Sequence, residues 1–484
     1  MKKHESMKTP LRLAGMGAVA LFLVACGNAV APGRDFGEAK EMAPGRWVAT
    51  REARAGIDNQ WVSRFGDGKM EEVVSIALSA NPSLRSAEER VRQAVLTARA
   101  TRSEAHPQLS GTLNGTRSKQ VFTGLPIPNQ SGILSSLSSS LGASLDVSWE
   151  PDIWGKVRSA NEADLARVGA EQEAYRAARA SLAAQVVKAW LALGEANEQL
   201  RLAYESLDIL EKTEAAVMER FANALADDGG TASQLRLART EVARQRAEIK
   251  RRQAEVESAK RQIELLAGRY PAGRTGGGDV YLPKLPAKPP VGLPSDLLLR
   301  RPDILEAERR YVAAVKDAEE ADLARFPSFS LTSSAGTSSS ELGDLVNSDF
   351  GVWSLAGNLT MPILNGGRLK ANYEKARSES REQLADLQRT VLDAFGEVEE
   401  ALVADHFFDE RIAATREALR EAEESDQAAA QDYADGVETV LTVLEARGSR
   451  TEIATQLVTL RRQRLENRVN LHLALGGDFK VRGK

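Results

Sequence analysis

The sequence predicts a mixed α+β membrane protein, mostly helical, in which a duplicated unit supplies long coiled-coil helices and four β-strands. Three observations lead there. The chain is written twice: LSANPSLRSAEERVRQAVLTARATRSEAHPQLS shares its grammar with LLRRPDILEAERRYVAAVKDAEEADLARFPSFS. Pro82, Ala87, Glu88, Arg90, Ala94 and Pro107 match Pro302, Ala307, Glu308, Arg310, Ala314 and Pro327 at a constant offset of 220. Pro151, Gly155, Ala160 and Asn161 echo Pro362, Gly366, Ala371 and Asn372 at an offset of 211, and Ala189-Trp190 echoes Ala394-Phe395. So long a period excludes a solenoid and points to one doubled unit. The second observation is a set of sustained heptads, and the third a run of strict apolar–polar alternation.

Taken in order, the chain opens with Lys2, Lys3, Lys8 and Arg12, followed by an apolar run from Leu13 to Ala25. This has the plan and length of a signal peptide (residues 1–25) and is too short to span a membrane as a permanent helix. It ends in Leu23-Val24-Ala25-Cys26, a small residue before the chain's one cysteine, which resembles a bacterial lipobox. That resemblance implies cleavage before Cys26, lipid on Cys26 and a tethered N-terminus; a plain signal peptide is the other reading. Gly27 rather than Asp follows, which favours the outer membrane. One cysteine excludes an intramolecular disulfide. The balance of 64 basic and 68 acidic residues leaves no polybasic field for nucleic acid. No later segment approaches 18 consecutive apolar residues, so a membrane crossing would have to be a closed β-barrel.

Residues 26–66 read as an anchored tether that packs on the body near Trp47 and Trp61. The first repeat occupies 67–270, a Pro/Gly linker 271–294, and the second repeat 295–484. In the first repeat a short helix over 69–80 precedes the Pro-initiated helix 83–105. A hairpin follows over about 107–151, with a weak strand at 107–119, a Pro- and Ser-rich loop at 120–140, and a strong strand. In that strand Leu141, Ala143, Leu145, Val147 and Trp149 alternate with Gly142, Ser144, Asp146, Ser148 and Glu150. Alternation over about ten residues suits a membrane strand with one face to lipid and one to a lumen. The second hairpin, about 327–362, carries Phe329 and Leu331, then Trp353, Leu355, Leu359 and Met361. Its apolar set is shifted by one residue relative to the Pro151–Pro362 match.

The helical pattern is stronger. Leu182, Val186, Ala189, Leu193, Ala196, Leu200, Ala203, Leu207 and Leu210 alternate steps of four and three, and Leu235, Val242, Ile249, Val256 and Ile263 recur every seven. Leu384, Leu387, Val391, Ala394, Val398 and Ala401 repeat the pattern in the second half. Heptads of this kind mean coiled-coil packing. Residues 153 to about 210 predict a rod of roughly 85 Å. Turns interrupt each pair at Ala226-Asp227-Asp228-Gly229-Gly230 and at Asp435-Gly436. Each half is thus helix, β-hairpin, long helix, turn, returning helix. Four strands cannot close a membrane barrel, so other subunits must complete it.

At this point the lipobox, GLPSDLLLRRPDILEAE, the strand exits PDIWGKVRSAN and PILNGGRLKAN, and the tip segment YADGVETVLTVLEAR resemble TolC-type outer membrane factors, in the lipoprotein, OprM/NodT-like branch of resistance–nodulation–division (RND) efflux systems. The resemblance implies a homotrimer whose chains together make a 12-stranded outer membrane β-barrel and a periplasmic α-barrel. It implies a lipid-anchored passive exit duct of a tripartite efflux pump for drugs or small toxic compounds, working with a periplasmic adaptor and an inner-membrane RND transporter. Leu441 and Glu445, with Thr442, match positions at the periplasmic gate, where three copies would form rings. Thr442 stands where some relatives carry a second acid. Gly436 and Val437 match an adaptor-docking position, and Gly229, Gly230 and Thr231 are the equivalents at the atypical first turn.

Other readings remain beside this one: the outlet of a type I protein-secretion or metal-efflux system, or a non-conducting periplasmic coiled-coil lipoprotein. A metal-specific duct would lead one to expect a Met or His cluster, yet only Met218 and Met361 lie beyond the first 70 residues. No cofactor is expected apart from the covalent lipid on Cys26. An enzyme is not expected: His4, His106, His406 and His472 lack ligand spacing, and TGGG at 275–278 has no Lys-Ser/Thr after it.

Overall fold

The computed structural model describes residues 43–49, 61–122, 134–222, 231–276, 280–292 and 294–477. Its elements run α1 (Gly68–Ala80), α2 (Pro82–Ser103), β1 (Gln108–Phe122), β2 (Leu134–Trp149), α3 (Lys156–Ala222), α4 (Ala232–Leu266), α5 (Pro302–Leu323), β3 (Ser328–Ser339), β4 (Gly351–Thr360), α6 (Arg368–Ala434) and α7 (Val440–Ala474). Short 3-10 turns sit at Trp61–Phe65, Pro294–Leu299, Leu342–Val346 and Ser348–Phe350. The duplication is visible in the lengths. α3 and α6 are each 67 residues, about 100 Å long, and α4 and α7 are each 35.

The starts of the two copies show why the motif residues are there. Pro82 and Pro302 occupy the first turn of α2 and α5, where a missing N–H costs nothing. Before them, Asn81 caps α2 and donates to the Leu266 carbonyl at the end of α4 (2.8 Å), while Arg301 donates to the Ala474 carbonyl at the end of α7 (3.1 Å). These are the same contact in the two copies. Arg301 also grips Asp303 (2.6 Å) and Glu397 (2.7 Å), so the RRPDI segment ties three helices of the second copy together. Gly268 and Gly476 hold positive φ just beyond α4 and α7; at Gly268 a Cβ would lie 2.6 Å from the Ala80 carbonyl oxygen.

The four strands form one antiparallel sheet in the order β1-β2-β3-β4. The register pairs odd residues with odd: Leu109 with Val147, Leu145 with Ala335, Ala335 with Trp353. All apolar positions read from the sequence therefore share one face, and Ser110, Thr112, Asp146, Ser334 and Asn358 share the other. The one-residue shift in the second hairpin is real. Its exit carries Gly366-Gly367 where the first has Gly155, and Gly155 and Gly367, both at φ 85°, each precede a long helix. The structural offset there is 212, one more than the sequence match. The expected loop at 120–140 is wrong at both ends. β1 runs to Phe122 and β2 starts at Leu134, because the Ser-rich stretch pairs with β1 without any hydrophobic pattern to announce it. The rod expected over 153–210 runs from Lys156 to Ala222.

Below the sheet lies a single helical layer. Next to the strands its order is α2-α3-α5-α6; farther away α4 packs on α3, α3 on α7 and α7 on α6. The heptad residues of α4, Leu235, Val242, Ile249, Val256 and Ile263, are all buried, as are Leu387, Val391, Ala394 and Val398 of α6. Each buried Val, Leu or Ile among them contributes about 1.5–3 kcal/mol. The N-terminal segment is clipped onto the body as expected. Trp47 meets Phe395 edge-on and donates to the Gly292 carbonyl, and Glu399 accepts from the Val48 and Ala49 amides. Trp61 is fully buried against Phe65 and His472.

Candidate functional site at the helical tip

The turn between α6 and α7 forms the end of the rod. α6 stops because Gly436 takes φ 79°, and the Val437 amide closes back onto the Asp432 carbonyl (2.8 Å). Val437 stands largely exposed at the apex. On α7, Val440 and Val443 turn inward to meet Val217, Leu235, Ala238, Ala429 and Tyr433. Leu441 and Glu445, four residues apart, consequently fall together on the open face. Thr442 does not join them. It is half-buried, and its hydroxyl donates to Glu438 within the turn (2.9 Å). At the first tip, Thr231 caps α4 in a reciprocal box with Gln234. Gly229 and Gly230 lie outside the described residues, as does Cys26.

Two contacts behind the tip were not singled out from the sequence. Arg220, near the end of α3, lies over the Tyr433 ring at 4.2 Å and donates to the Tyr433 and Ala434 carbonyls. It thereby ties the first copy to the last turn of α6. About two turns farther in, the buried Asp426 of α6 receives Arg447 (3.0 Å) and Arg450 (3.1 Å) of α7, and Arg447 also donates to the Ile209 carbonyl of α3 (3.2 Å). YADGVETVLTVLEAR contains Tyr433 and Arg447, but only the helix register reveals which acid and which carbonyl they meet. Burial pushes the Tyr433 hydroxyl up, with Arg220 pulling the other way.

Farther along α7 the ties multiply. Arg461 meets Glu198 (3.1 Å), and Arg468 meets Asp405 (2.9 Å) and the Pro286 carbonyl (2.9 Å). The Arg220 and Asp426 contacts thus hold the tip together with the apolar cluster there, while the middle of α7 is held to α3, α6 and the linker. Among the described residues no group of His, Cys, Asp and Glu could hold a metal ion, and no helix is long and apolar enough to cross a membrane.

Comparison with known proteins agrees with this architecture. The family model described as outer membrane efflux protein matches residues 73–269 and 293–477. The cation efflux system protein CusC of Escherichia coli O6:H1 is 31% identical over 424 residues, covering 87% of this chain and 88% of that protein. The toluene efflux pump outer membrane protein TtgC of Pseudomonas putida is 30% identical over 428 residues, 88% and 86% respectively. The probable outer membrane lipoprotein SilC of Salmonella typhimurium is 30% identical over 422 residues, 87% and 88%. Among solved structures, the outer-membrane channel OprN superposes with a TM-score of 0.81 at 23% identity, over 93% of this chain and 99% of that one. The open-state MtrE outer membrane channel of Neisseria gonorrhoeae gives 0.76 at 28%, over 93% and 98%.

Proposed function

The chain belongs to the outer membrane efflux protein family, whose members are channels and not enzymes, and on that premise we propose that three copies close into one duct with a gated periplasmic tip. The chain is an outer membrane efflux duct; the number of copies, the gate, the anchor and the partners are the proposal. One observation carries the closure. β1 and β4 are the open edges of the sheet, and α2 and α6, the helices joined directly to them, are the open edges of the helical layer beneath. Both layers are therefore incomplete at the same two sides, and a head-to-tail ring completes both at once. Twelve strands about 4.8 Å apart, tilted by about 40°, enclose a ring roughly 24 Å across. Its odd face meets lipid and its Ser-, Thr- and Asn-rich face lines water.

At the other end Leu441 and Glu445 would form rings of three at the gate, with Arg220–Tyr433 and Asp426–Arg447 as the ties that release on opening. Gly436 and Val437 offer the apex to a periplasmic adaptor, with Thr231 beside the first turn, and the adaptor passes cargo from an inner-membrane RND transporter. Lipidation at Cys26 fits the strap. From Glu399 up to Arg368 is 31 residues of helix, about 46 Å. The 21 residues from Cys26 to Trp47 can extend roughly 70 Å, enough to reach the bilayer. The relatives are named for cations, toluene, antibiotics and solvents. One body under so many cargoes supports a wide passive tube, with the choice of cargo made upstream.

The test is a photo- or thiol-crosslink from Val437→Cys in intact cells, with the captured protein identified by mass spectrometry. A periplasmic adaptor of an RND pump is expected. Capture of a type I secretion adaptor would move the cargo to protein, and capture of no adaptor by a three-copy assembly would remove the tip from docking.

A further inference from the structure

The polar face of the sheet carries one fixed charge. Among the described strand residues only Arg117, Lys119 and Asp146 are ionisable. Arg117 and Lys119 are odd-numbered and stand on the apolar face, toward the end of β1 far from α2. The even face presents mostly Ser, Thr, Asn and Gln, and Asp146 is its one charge. The carboxylate is held in place. Thr112 on β1 (3.0 Å) and Ser144 on β2 (2.9 Å) both donate to its Oδ2, and Ser110 and Ser334 are its partners across the sheet. Asp146 lies three residues before Trp149, the end of β2, or about 10 Å along the strand. The Trp149 indole is fixed to the Ala105 carbonyl at the corner between α2 and β1 (3.0 Å). The charge therefore stands just inside the sheet, close to its junction with the helical layer.

The second copy shows the same position without the charge. The offset is 220 for the first strand of each hairpin and 212 for the second. At those offsets the pairs Ser110–Asp146 and Thr112–Ser144 become Ser330–Asn358 and Thr332–Ala356, in the same register. Asp146 is thus matched by its uncharged isostere, and Ser144, which donates to it, by an Ala that has nothing to donate. Acid and donor come as a set, in one copy only. The fold needs neither, since β3 and β4 pair without a break through Asn358 and Ala356. A carboxylate kept where an amide serves the sheet equally well points to a role for its charge.

We propose that Asp146 is a selectivity-determining residue of the duct: one carboxylate per copy forms a ring of three at the entry to the barrel, enriching cations and holding back anions. The inference rests on the three-copy closure above and adds a charged ring separate from Glu445 at the far tip. In a barrel roughly 24 Å across, the carboxylates lie about 12 Å from the axis. At about 0.01 M salt the screening length is about 30 Å, and three such charges raise the cation concentration on the axis about threefold and lower that of anions about as much. At about 1 M the screening length is about 3 Å, and the ring changes almost nothing. The low-dielectric bilayer around the barrel strengthens the field inside it. Cationic cargo is favoured and anionic cargo disfavoured, a bias by sign of charge added to the choice made upstream.

The test is the reversal potential of the full-length protein in planar bilayers under a KCl gradient, in a Glu445→Ala background so that the tip ring does not select. Asp146→Asn installs the side chain that the second copy already carries at this position. It should lower the potassium-to-chloride permeability ratio at least about threefold near 0.01 M salt and leave it unchanged near 1 M. Adding Asn358→Asp to Asp146→Asn returns the charge at the sister position and should restore the ratio. A ratio unchanged by Asp146→Asn at low salt would overturn the filter. So would a loss that persists near 1 M, or one that Asn358→Asp does not reverse, and each of these leaves the conducting duct standing. A one-copy protein, or a three-copy protein that passes no ions in any form, would overturn the duct and the filter together.

Discussion

Glu445 sits one turn beyond Leu441 on the open face of α7, because Val440 and Val443 use the opposite face to pack on the first copy. Three carboxylates brought to one axis repel one another and attract cations. Glu445→Ala is therefore expected to raise single-channel conductance and weaken cation selectivity; a variant with both unchanged would take Glu445 out of the gate. Asp426 plays a different part. It is buried between Arg447 and Arg450, so Asp426→Asn leaves two cations short of a partner and loosens α7 from α6. The expected readout is a larger open fraction in bilayer recordings. At the N-terminus, Cys26→Ser should remove the acyl mass from the mature protein. If the wild-type protein carries no acyl mass, the lipid-anchor reading falls.

At the scale of elements, α6 and α7 are held by packing and by charge. Leu387 is fully buried, and Leu387→Ala is expected to cost about 2–5 kcal/mol, measured as a lowered unfolding midpoint. Asp405 gives the charge part a pH dependence. Burial pushes its carboxyl up, but Arg468, Lys288 and Arg464 more than offset this and hold it below the usual carboxylate range. A carboxyl depressed by folding contributes stability that is present above its unfolded value of about 3.9 and is lost as pH falls through its folded value. Thermal midpoints should accordingly fall as pH drops below about 4, with a shallower fall in Asp405→Asn. The heptads and odd-numbered strand faces were legible because period predicts face. Gln120–Ser140 was not, because consecutive serines carry no period while their backbones still pair. The Arg301, Arg220 and Asp426 ties were also hidden, since each depends on how one helix is set against another far along the chain.

For the whole molecule, the duplicated unit explains a protein that is complete along its length and incomplete at its sides. First-hairpin strands of 15 and 16 residues exceed the roughly 9–11 needed to cross a bilayer, so that hairpin should project beyond it. The helices reach about 100 Å the other way. The most direct test of the duct is electrical: purified full-length protein, weighed as an intact assembly, is added to a planar bilayer. Three copies giving discrete conductance steps, small in the wild type and larger in Glu445→Ala, is the predicted result. A three-copy protein that inserts but passes no ions in either form would contradict the duct itself.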